Sequence, residues 1–250
     1  MLVYFRYSKL LVLFSVLILI PNSVKSENKE PDGSFKKSTL SETPIDCPLR
    51  KKGVVHDHRK PFEHTDRYID FLERKDRIKW QKPDAVIETL NIRGDEKIAD
   101  VGAGSGYFSF PFASAVPQGK VYAIDIEPEM IRYVHHKAMM NDVKNIEVIL
   151  AEPDDPKVPA DSDIVFVCDV LHHIENKLLW LKKICSETKK GAKLILIEFK
   201  EGDLPEGPPE QIKISQNEII TNVSSAGFTR IAADNKLLPY QTFLVFEKRK

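Results

Sequence analysis

Three glycines at alternate positions follow a short apolar segment and stand between two acidic residues. Asp100 precedes Gly102, Gly104 and Gly106, and Asp125 comes later, at the end of the next apolar segment. Glycine lets the backbone bend sharply and approach a ligand without interference from a Cβ atom. The Asp125 carboxylate can accept two hydrogen bonds from the adjacent hydroxyls of a ribose. This spacing predicts a loop that binds a nucleoside-like ligand.

The glycine spacing separates two classes of nucleoside ligand. A dinucleotide-binding loop follows Gly-x-Gly-x-x-Gly, whose third glycine would fall at position 107, where this chain has Tyr107. A pyrophosphate also requires bare amides at the start of a helix. S-adenosylmethionine instead carries an ammonium and a sulfonium, which suit the acidic Asp100. The pattern therefore favours S-adenosylmethionine, and Tyr107 argues against the rival interpretation, a nicotinamide-dependent oxidoreductase.

Short apolar segments that alternate with helical stretches must position this loop. Such an alternation predicts a three-layer α/β/α sandwich with a mostly parallel, doubly wound sheet. Helices are expected around residues 62–80 and at Asp84–Leu90, before the first strand. The remaining predicted strands are Lys97–Val101, Lys120–Ile124, Ile146–Leu150, Ile164–Cys168, Lys193–Phe199, Thr229–Ala233 and Thr242–Glu247, and the remaining helices are Phe108–Ala115, Pro128–Met140, Asn176–Thr188 and Gln216–Ala226.

Three motifs in this order resemble those of the class I S-adenosylmethionine-dependent methyltransferases. They are Ala99–Phe108, Val121–Met130 and Asp163–His173, and the first is the most specific. The resemblance covers about Trp80–Lys250. It implies a Rossmann-like methyltransferase domain with an antiparallel last strand, and S-adenosylmethionine as the cofactor.

The resemblance also implies roles for individual residues. Gly102 and Gly104 would back the methionine moiety, and Asp100 would lie near its ammonium. Asp125 would hold the ribose hydroxyls. The turn after the third strand would meet the adenine amine through one of its two acids, and the end of the fourth strand would form the floor of the methyl-transfer site. The expected cofactor-binding residues are Asp100, Val101, Gly102, Ala103, Gly104, Gly106, Tyr107, Asp125, Ile126, Glu152, Pro153, Asp154 and Cys168.

Methyl transfer from a sulfonium is an in-line displacement, so a protein contributes mainly by positioning donor and acceptor. An oxygen or nitrogen acceptor needs a base, for which Asp169, His172 and His173 are the candidates. A carbon or thiolate acceptor needs none. More often, two adjacent histidines of this kind are a structural pair at a helix start that faces a cleft. The acceptor is expected to be a small molecule.

Composition limits the remaining classes. The chain has 37 basic and 37 acidic side chains, so its formal net charge is zero, which argues against a nucleic-acid partner. The hydrophobic fraction of 42% excludes a mainly disordered chain. Three cysteines are too few and too scattered for a disulfide scaffold or a zinc site, and no metal site is expected.

The N-terminal residues form a separate segment. Arg6 and Lys9 precede an apolar run at Leu10–Ile20, which is about half the length needed to cross a bilayer. We expect a secretory signal peptide or a membrane anchor at 1–26, a flexible linker at 27–60 and the methyltransferase domain at 61–250. The domain would then lie outside the cytoplasm or on a membrane, unless the start is wrongly placed.

An exported domain conflicts with the cytosolic origin of S-adenosylmethionine. This conflict leaves a second hypothesis open, an exported protein that keeps the methyltransferase fold but only binds a nucleoside-type ligand.

Overall fold

Seven strands form one sheet in the structure, a computed structural model that describes residues 65–249. The sheet order is β3-β2-β1-β4-β5-β7-β6. Strands β1 to β5 run parallel, whereas β7 lies antiparallel to both β5 and β6. The strands are β1 Lys97–Val101, β2 Lys120–Asp125, β3 Ile146–Leu150, β4 Ile164–Cys168, β5 Lys193–Phe199, β6 Phe228–Asp234 and β7 Gln241–Lys248.

Helices cover both faces of the sheet, with α6 and α7 on one face and α3, α4 and α5 on the other. Alternate residues of each central strand serve the two faces, as in Ala99 and Ile98 of β1. Single turns of 3-10 helix follow β4 and precede α7, at Leu171–His173 and Glu210–Ile212. The helices are α1 Thr65–Leu72, α2 Arg77–Gln81, α3 Pro83–Leu90, α4 Ser109–Ala115, α5 Pro128–Met140, α6 Lys177–Glu187 and α7 Gln216–Ser225.

This architecture confirms the predicted three-layer sandwich and its antiparallel last strand. The main difference in the central sheet is that β2 includes Asp125, because this residue still pairs with Leu150 of β3. The helix expected to begin at Asn176 begins one residue later, and Asn176 caps it by accepting a hydrogen bond from the Leu179 amide.

The predicted signal peptide or anchor at 1–26, the linker at 27–60 and the domain boundary at 61 all lie outside the described residues. Among the helices at 65–249, none combines the length and the apolar character that a membrane span requires.

The switch in sheet order between β1 and β4 places several loops at one edge. Parallel strands β1, β2 and β4 end there at Val101, Asp125 and Cys168. Ligands of doubly wound sheets bind beyond the carboxyl ends of the strands, at this kind of switch point. The loop after β1 and the residue after β4 therefore face one crevice.

Candidate functional site: a cleft at the carboxyl edge of the sheet

The loop after β1 turns back sharply because its three glycines adopt positive φ angles. These angles are +76° at Gly102, +54° at Gly104 and +80° at Gly106. The Gly102 and Ala103 amides both donate to the Ile124 carbonyl of β2, at 2.8 and 2.9 Å. The loop is therefore anchored to the neighbouring strand directly after the end of β1.

Packing within the protein explains two of these glycines directly. A Cβ atom at Gly102 would overlap the Val170 side chain, and one at Gly106 would press into the Phe110 ring. A Cβ atom at Gly104 would lie 3.2 Å from Leu72 Cδ1 in α1. The sequence interpretation attributed the glycines to close approach of a ligand, whereas the structure gives internal packing as a further reason.

Asp125 is tied to the same loop. Its Oδ2 accepts a hydrogen bond from the Gly104 amide at 2.8 Å, and its Oδ1 accepts one from the Glu127 amide at 2.9 Å. Burial raises the pKa of Asp125, and the backbone donors oppose that rise. The residue remains partly exposed, and the neighbouring Ile126 side chain is open to solvent. Each carboxylate oxygen keeps a lone pair for a further donor.

Asp100 differs from Asp125 in that it is almost fully buried. Its Oδ2 accepts a hydrogen bond from Ser109 Oγ at 2.5 Å. Burial raises the pKa of Asp100 to about 7, although the Ser109 bond opposes the rise. Because this carboxylate faces the α4 helix, Asp100 can contribute only indirectly to the binding of a ligand ammonium.

The turn after β3 lies beside Asp125, because the Ala151 amide donates to the Asp125 carbonyl at 2.9 Å. Glu152, Pro153 and Asp154 are all exposed in this turn. Glu152 forms a salt bridge with Lys157, whereas Asp154 extends from the tip of the turn. The structure thus brings both candidate adenine-binding acids to the cleft edge.

Asp169, directly after β4, is held by two side-chain amides. Gln241 Nε2 donates to both of its carboxylate oxygens, at 2.7 and 2.8 Å, and Gln81 Nε2 donates to Oδ2 at 3.0 Å. Gln81 Nε2 also lies 2.9 Å from Cys168 Sγ. Burial and then the charge of Glu198 raise the pKa of Asp169 to about 6, while Arg77 opposes the rise. The side chain is partly exposed and so reachable from the cleft.

The two histidines that follow have different environments. His172 Nδ1 lies 2.7 Å from Glu198 Oε2, and both side chains are buried. Burial lowers the pKa of His172, but the Glu198 bond and charge outweigh it and leave that pKa raised. The centre of the His173 ring lies 4.0 Å from that of His172, with the two rings tilted by 42°; His173 is more exposed, and burial lowers its pKa. His172 is therefore the partner of a buried carboxylate.

Helix α1 lies across the cleft, close to the acidic residues at both ends of the cleft. Tyr68 is 54% exposed, yet burial raises the pKa of its hydroxyl, as do the negative charges of Asp125 and Asp169. Leu72 at the end of the helix packs on Gly104. The carboxylates at the ends of β2 and β4 therefore line one cleft beneath α1.

Helix α2 connects α1 to both sides of this cleft. Arg77 Nη1 donates to the Leu72 carbonyl at 2.6 Å, and its guanidinium lies 4.0 Å from the centre of the Tyr107 ring. Arg77 Nε donates to Gln81 Oε1. Tyr107, an expected cofactor contact, is thus stacked on Arg77, and its buried hydroxyl has no hydrogen-bond partner among the described residues.

Sequence reasoning missed Gln81, Arg77 and Glu198. Glu198 had a detectable signal, since it is the one acidic residue in the strand Lys193–Phe199 and directly follows four apolar residues. Gln81 had none, because its partner Asp169 lies 88 positions away in the chain. Gln241 lies against Asp169 as well, because it pairs with Phe199 at the end of β5. Within residues 65–249, no group of histidine, cysteine or acidic side chains could hold a metal ion.

Comparisons with known proteins agree with this geometry. A family model described as a methyltransferase domain matches residues 92–239. A demethylmenaquinone methyltransferase of Geobacillus stearothermophilus is 26% identical over 143 residues, which are 56% of this chain and 60% of that protein. A tRNA U34 carboxymethyltransferase of Desulfotalea psychrophila is 29% identical over 139 residues, covering 54% of this chain and 41% of the relative.

A crystal structure of an S-adenosylmethionine-dependent methyltransferase from Aquifex aeolicus has the same fold. It superposes with a TM-score of 0.69 at 25% identity and covers 73% of this chain and 97% of that one. The family match spans more than half of the chain and includes the glycine loop, Asp125 and Asp169. The chain spans 41 to 60% of the length of these two curated relatives. It therefore belongs to the methyltransferase-domain family and has the fold of the class I S-adenosylmethionine-dependent methyltransferases.

Proposed function

We propose that this protein transfers a methyl group to a small molecule that loses a proton in the reaction. The proton is carried either by the nucleophilic atom or by an atom conjugated to it. The observation that carries this proposal is the Asp169 carboxylate, which is partly exposed at the end of β4 and has a pKa of about 6. A base with a pKa just below neutrality is ionised at pH 7 and retains affinity for a proton.

The described residues fit S-adenosylmethionine chemically. The cleft carries acidic groups at both ends, which suits a ligand with a sulfonium and an ammonium. Asp125 keeps free lone pairs for the two ribose hydroxyls, and the exposed Ile126 side chain offers an apolar surface to the adenine. Glu152 and Asp154 in the adjacent exposed turn are the candidates for the adenine amine.

The same placement directs the reacting methyl towards β4. If Asp125 held the ribose and the Gly102–Gly104 loop backed the methionine part, the sulfur would lie near the ends of β1 and β4. Tyr68 of α1, whose pKa is raised by the charges of both Asp125 and Asp169, would cover the bound cofactor. The expected cofactor contact Cys168 would then lie in the floor, where Gln81, the last residue of α2, contacts its sulfur.

The chain's own contribution to the reaction is positioning and proton transfer. Bound S-adenosylmethionine supplies an electrophilic methyl group on a good leaving group. Asp169 accepts the proton of the acceptor, whose electron pair then forms the new bond to the methyl carbon. S-adenosylhomocysteine, the methylated acceptor and protonated Asp169 are the products. His172 is already engaged by Glu198, so Asp169 is better placed than His172 to act as the base.

Two features favour a small-molecule acceptor over RNA. The formal net charge of zero provides no excess of positive charge for a phosphate backbone. The relative named for demethylmenaquinone also shows that this family includes enzymes named for small acceptors. Because another relative is named for tRNA U34, the experiment must also test RNA as the methyl acceptor.

The proposal is tested by following a labelled methyl group. The protein is incubated with methyl-labelled S-adenosylmethionine and, in separate reactions, with a small-molecule extract and with total tRNA. We expect label in the small-molecule fraction, and at least a tenfold lower rate for Asp169→Asn, in line with the usual contribution of a general base. Label confined to tRNA, or full activity of Asp169→Asn, would contradict the proposal.

A further inference from the structure

Asp169 adopts a backbone conformation that is unusual for a residue with a side chain. Its φ angle is +58°, in the left-handed region, and its amide donates to the Ile197 carbonyl of β5 at 2.9 Å. Such conformations are unfavourable for a residue with a Cβ atom and persist where the surroundings fix them, often at functional sites. The side-chain contacts of Asp169 show what fixes it here.

Two amides approach the carboxylate from elements far apart in the chain. Gln81 closes α2, and Gln241 opens β7; both side chains are fully buried. Gln241 Nε2 contacts both oxygens of Asp169, and Gln81 Nε2 contacts Oδ2. The carboxylate is therefore held by donors from two separate elements of the fold.

The orientation of the Gln81 amide is set by a third residue. Arg77 can only donate hydrogen bonds, and its Nε bonds to Gln81 Oε1. The Gln81 NH₂ group must then face Asp169. Arg77 also bonds to the Leu72 carbonyl and stacks on Tyr107, so Gln81 connects Asp169 to α1 and to the glycine loop. We call the side-chain amides of Gln81 and Gln241 the clamp.

We infer that Gln81 and Gln241 are positioning residues for methyl transfer, which hold the Asp169 carboxylate in the orientation required to receive the acceptor's proton. This inference rests on the proposed role of Asp169 as the base. Neither glutamine needs to touch the acceptor. Their contribution is to keep Asp169 ionised and aimed into the cleft, against the desolvation that burial imposes.

The effect of the clamp is measured as a change in the pKa of Asp169, which also depends on the ionisable groups around this carboxylate. Glu198 from β5 raises the pKa of Asp169, whereas Arg77 from α2 and His172 from the turn after β4 lower it. The Cys168 thiol and the Tyr68 hydroxyl of α1 also face this carboxylate. All five groups remain when one glutamine is replaced. Gln81→Met also removes the acceptor of Arg77 Nε, so Gln241→Met is the variant in which a change in the pKa of Asp169 reports the lost amide alone.

The test uses Gln241→Met and Gln81→Met, which keep the side-chain length and remove the donor. Gln118→Met, at an exposed position outside the cleft, is the matched control. The pKa of Asp169 is measured in the full chain by carboxyl ¹³C NMR titration, with Asp169→Asn identifying the resonance. We expect a rise of about one unit in each clamp variant, because a hydrogen bond to a charged group has been lost.

Two further measurements accompany the titration. The acid limb of the pH–rate profile for label transfer should move upward by about one unit, which means roughly a tenfold slower reaction at a fixed acidic pH. The Kd for S-adenosylhomocysteine should change less than about twofold, since the clamp lies at the acceptor end. If a methionine variant does not fold, Gln241→Glu keeps the shape and should raise the pKa of Asp169 further.

An unchanged pKa of Asp169 in both clamp variants would overturn the inference, as would an equal change in Gln118→Met. Failure of the proposed function has a different signature. In that case the wild-type chain transfers no label to a small molecule, or Asp169→Asn keeps its full rate, whatever the titration shows.

Discussion

Gly102 illustrates how one residue connects the glycine loop to the acceptor end of the cleft. Its positive φ angle closes the loop, and the space that its missing side chain leaves is filled by Val170, the residue after Asp169. The glycine loop and the end of β4 are therefore packed on each other. A change at either position is transmitted to the other.

Gly102→Ala should lower the free energy of unfolding by about 2–4 kcal/mol, because strain at positive φ adds to the overlap with Val170. Urea unfolding measures the change. Gly191→Ala is the matched control, since Gly191 has a φ of +81° but no neighbour within 4 Å of an added Cβ, and should cost only the strain of about 1 kcal/mol. Equal losses in the two variants would contradict the packing explanation. Val170→Ala should partly restore Gly102→Ala.

Asp100 should make the protein less stable as the pH rises. Its pKa of about 7 in the folded chain exceeds the value of 3.8 for a free side chain, so the folded state binds the proton more tightly. The stability that this provides is complete below about pH 4 and is lost as the pH rises through 7. Asp100→Asn should therefore gain stability relative to wild type between pH 5 and 8, on the order of a few kcal/mol.

Urea unfolding at the two pH values measures this difference, with Asp203→Asn at an exposed position as the control. A difference between Asp100→Asn and wild type that is the same at pH 5 and pH 8 would show that Asp100 titrates normally.

At the scale of elements, α1 is held over the cleft by contacts at its C-terminal end. Glu73, just after the helix, forms a salt bridge with Lys137 and accepts a hydrogen bond from Tyr133 Oη at 3.0 Å, both in α5. Arg74 pairs with Glu206 in the connection between β5 and α7. These contacts join α1 to two separate parts of the domain.

Glu73→Gln should loosen α1 without unfolding the sheet. A partly exposed ion pair contributes up to about 1 kcal/mol, so amide exchange across Thr65–Leu72 should accelerate about two- to fivefold. Hydrogen–deuterium exchange with mass spectrometry measures this, and α6 provides the internal reference. Unchanged exchange in α1, or equal acceleration in α6, would contradict this account of α1. Glu175→Gln, at an exposed position, is the matched variant.

The strands could be predicted closely from the sequence, whereas the clamp around Asp169 could not. Parallel strands such as Ile164–Cys168 are buried on both faces, so they appear as continuous apolar runs with clear ends. The glycine loop and Asp125 follow from local spacing. Gln81 and Gln241 both reach Asp169 only because β7 inserts beside β5 and α2 packs near the same edge of the sheet. No local pattern in the sequence reveals this arrangement.

At the scale of the whole molecule, the compartment remains a prediction from the sequence. Arg6, Lys9 and the apolar run Leu10–Ile20 predict export, with cleavage after Ser26 if the segment is a signal peptide. Mass spectrometry of the protein from its native host should find a mature chain that begins at Glu27. An intact Met1 on soluble protein would contradict the prediction, and an intact Met1 in the membrane fraction would indicate an anchor.

The central claim is that one cleft at the carboxyl edge of the sheet holds the cofactor between Asp125 and Asp169. A crystal structure of the full chain with S-adenosylhomocysteine tests it most directly. The account predicts ribose hydroxyls within hydrogen-bond distance of the Asp125 carboxylate, the adenine against Ile126, and the sulfur facing Asp169. A nucleoside bound elsewhere, or one whose sulfur faces away from β4, would contradict it.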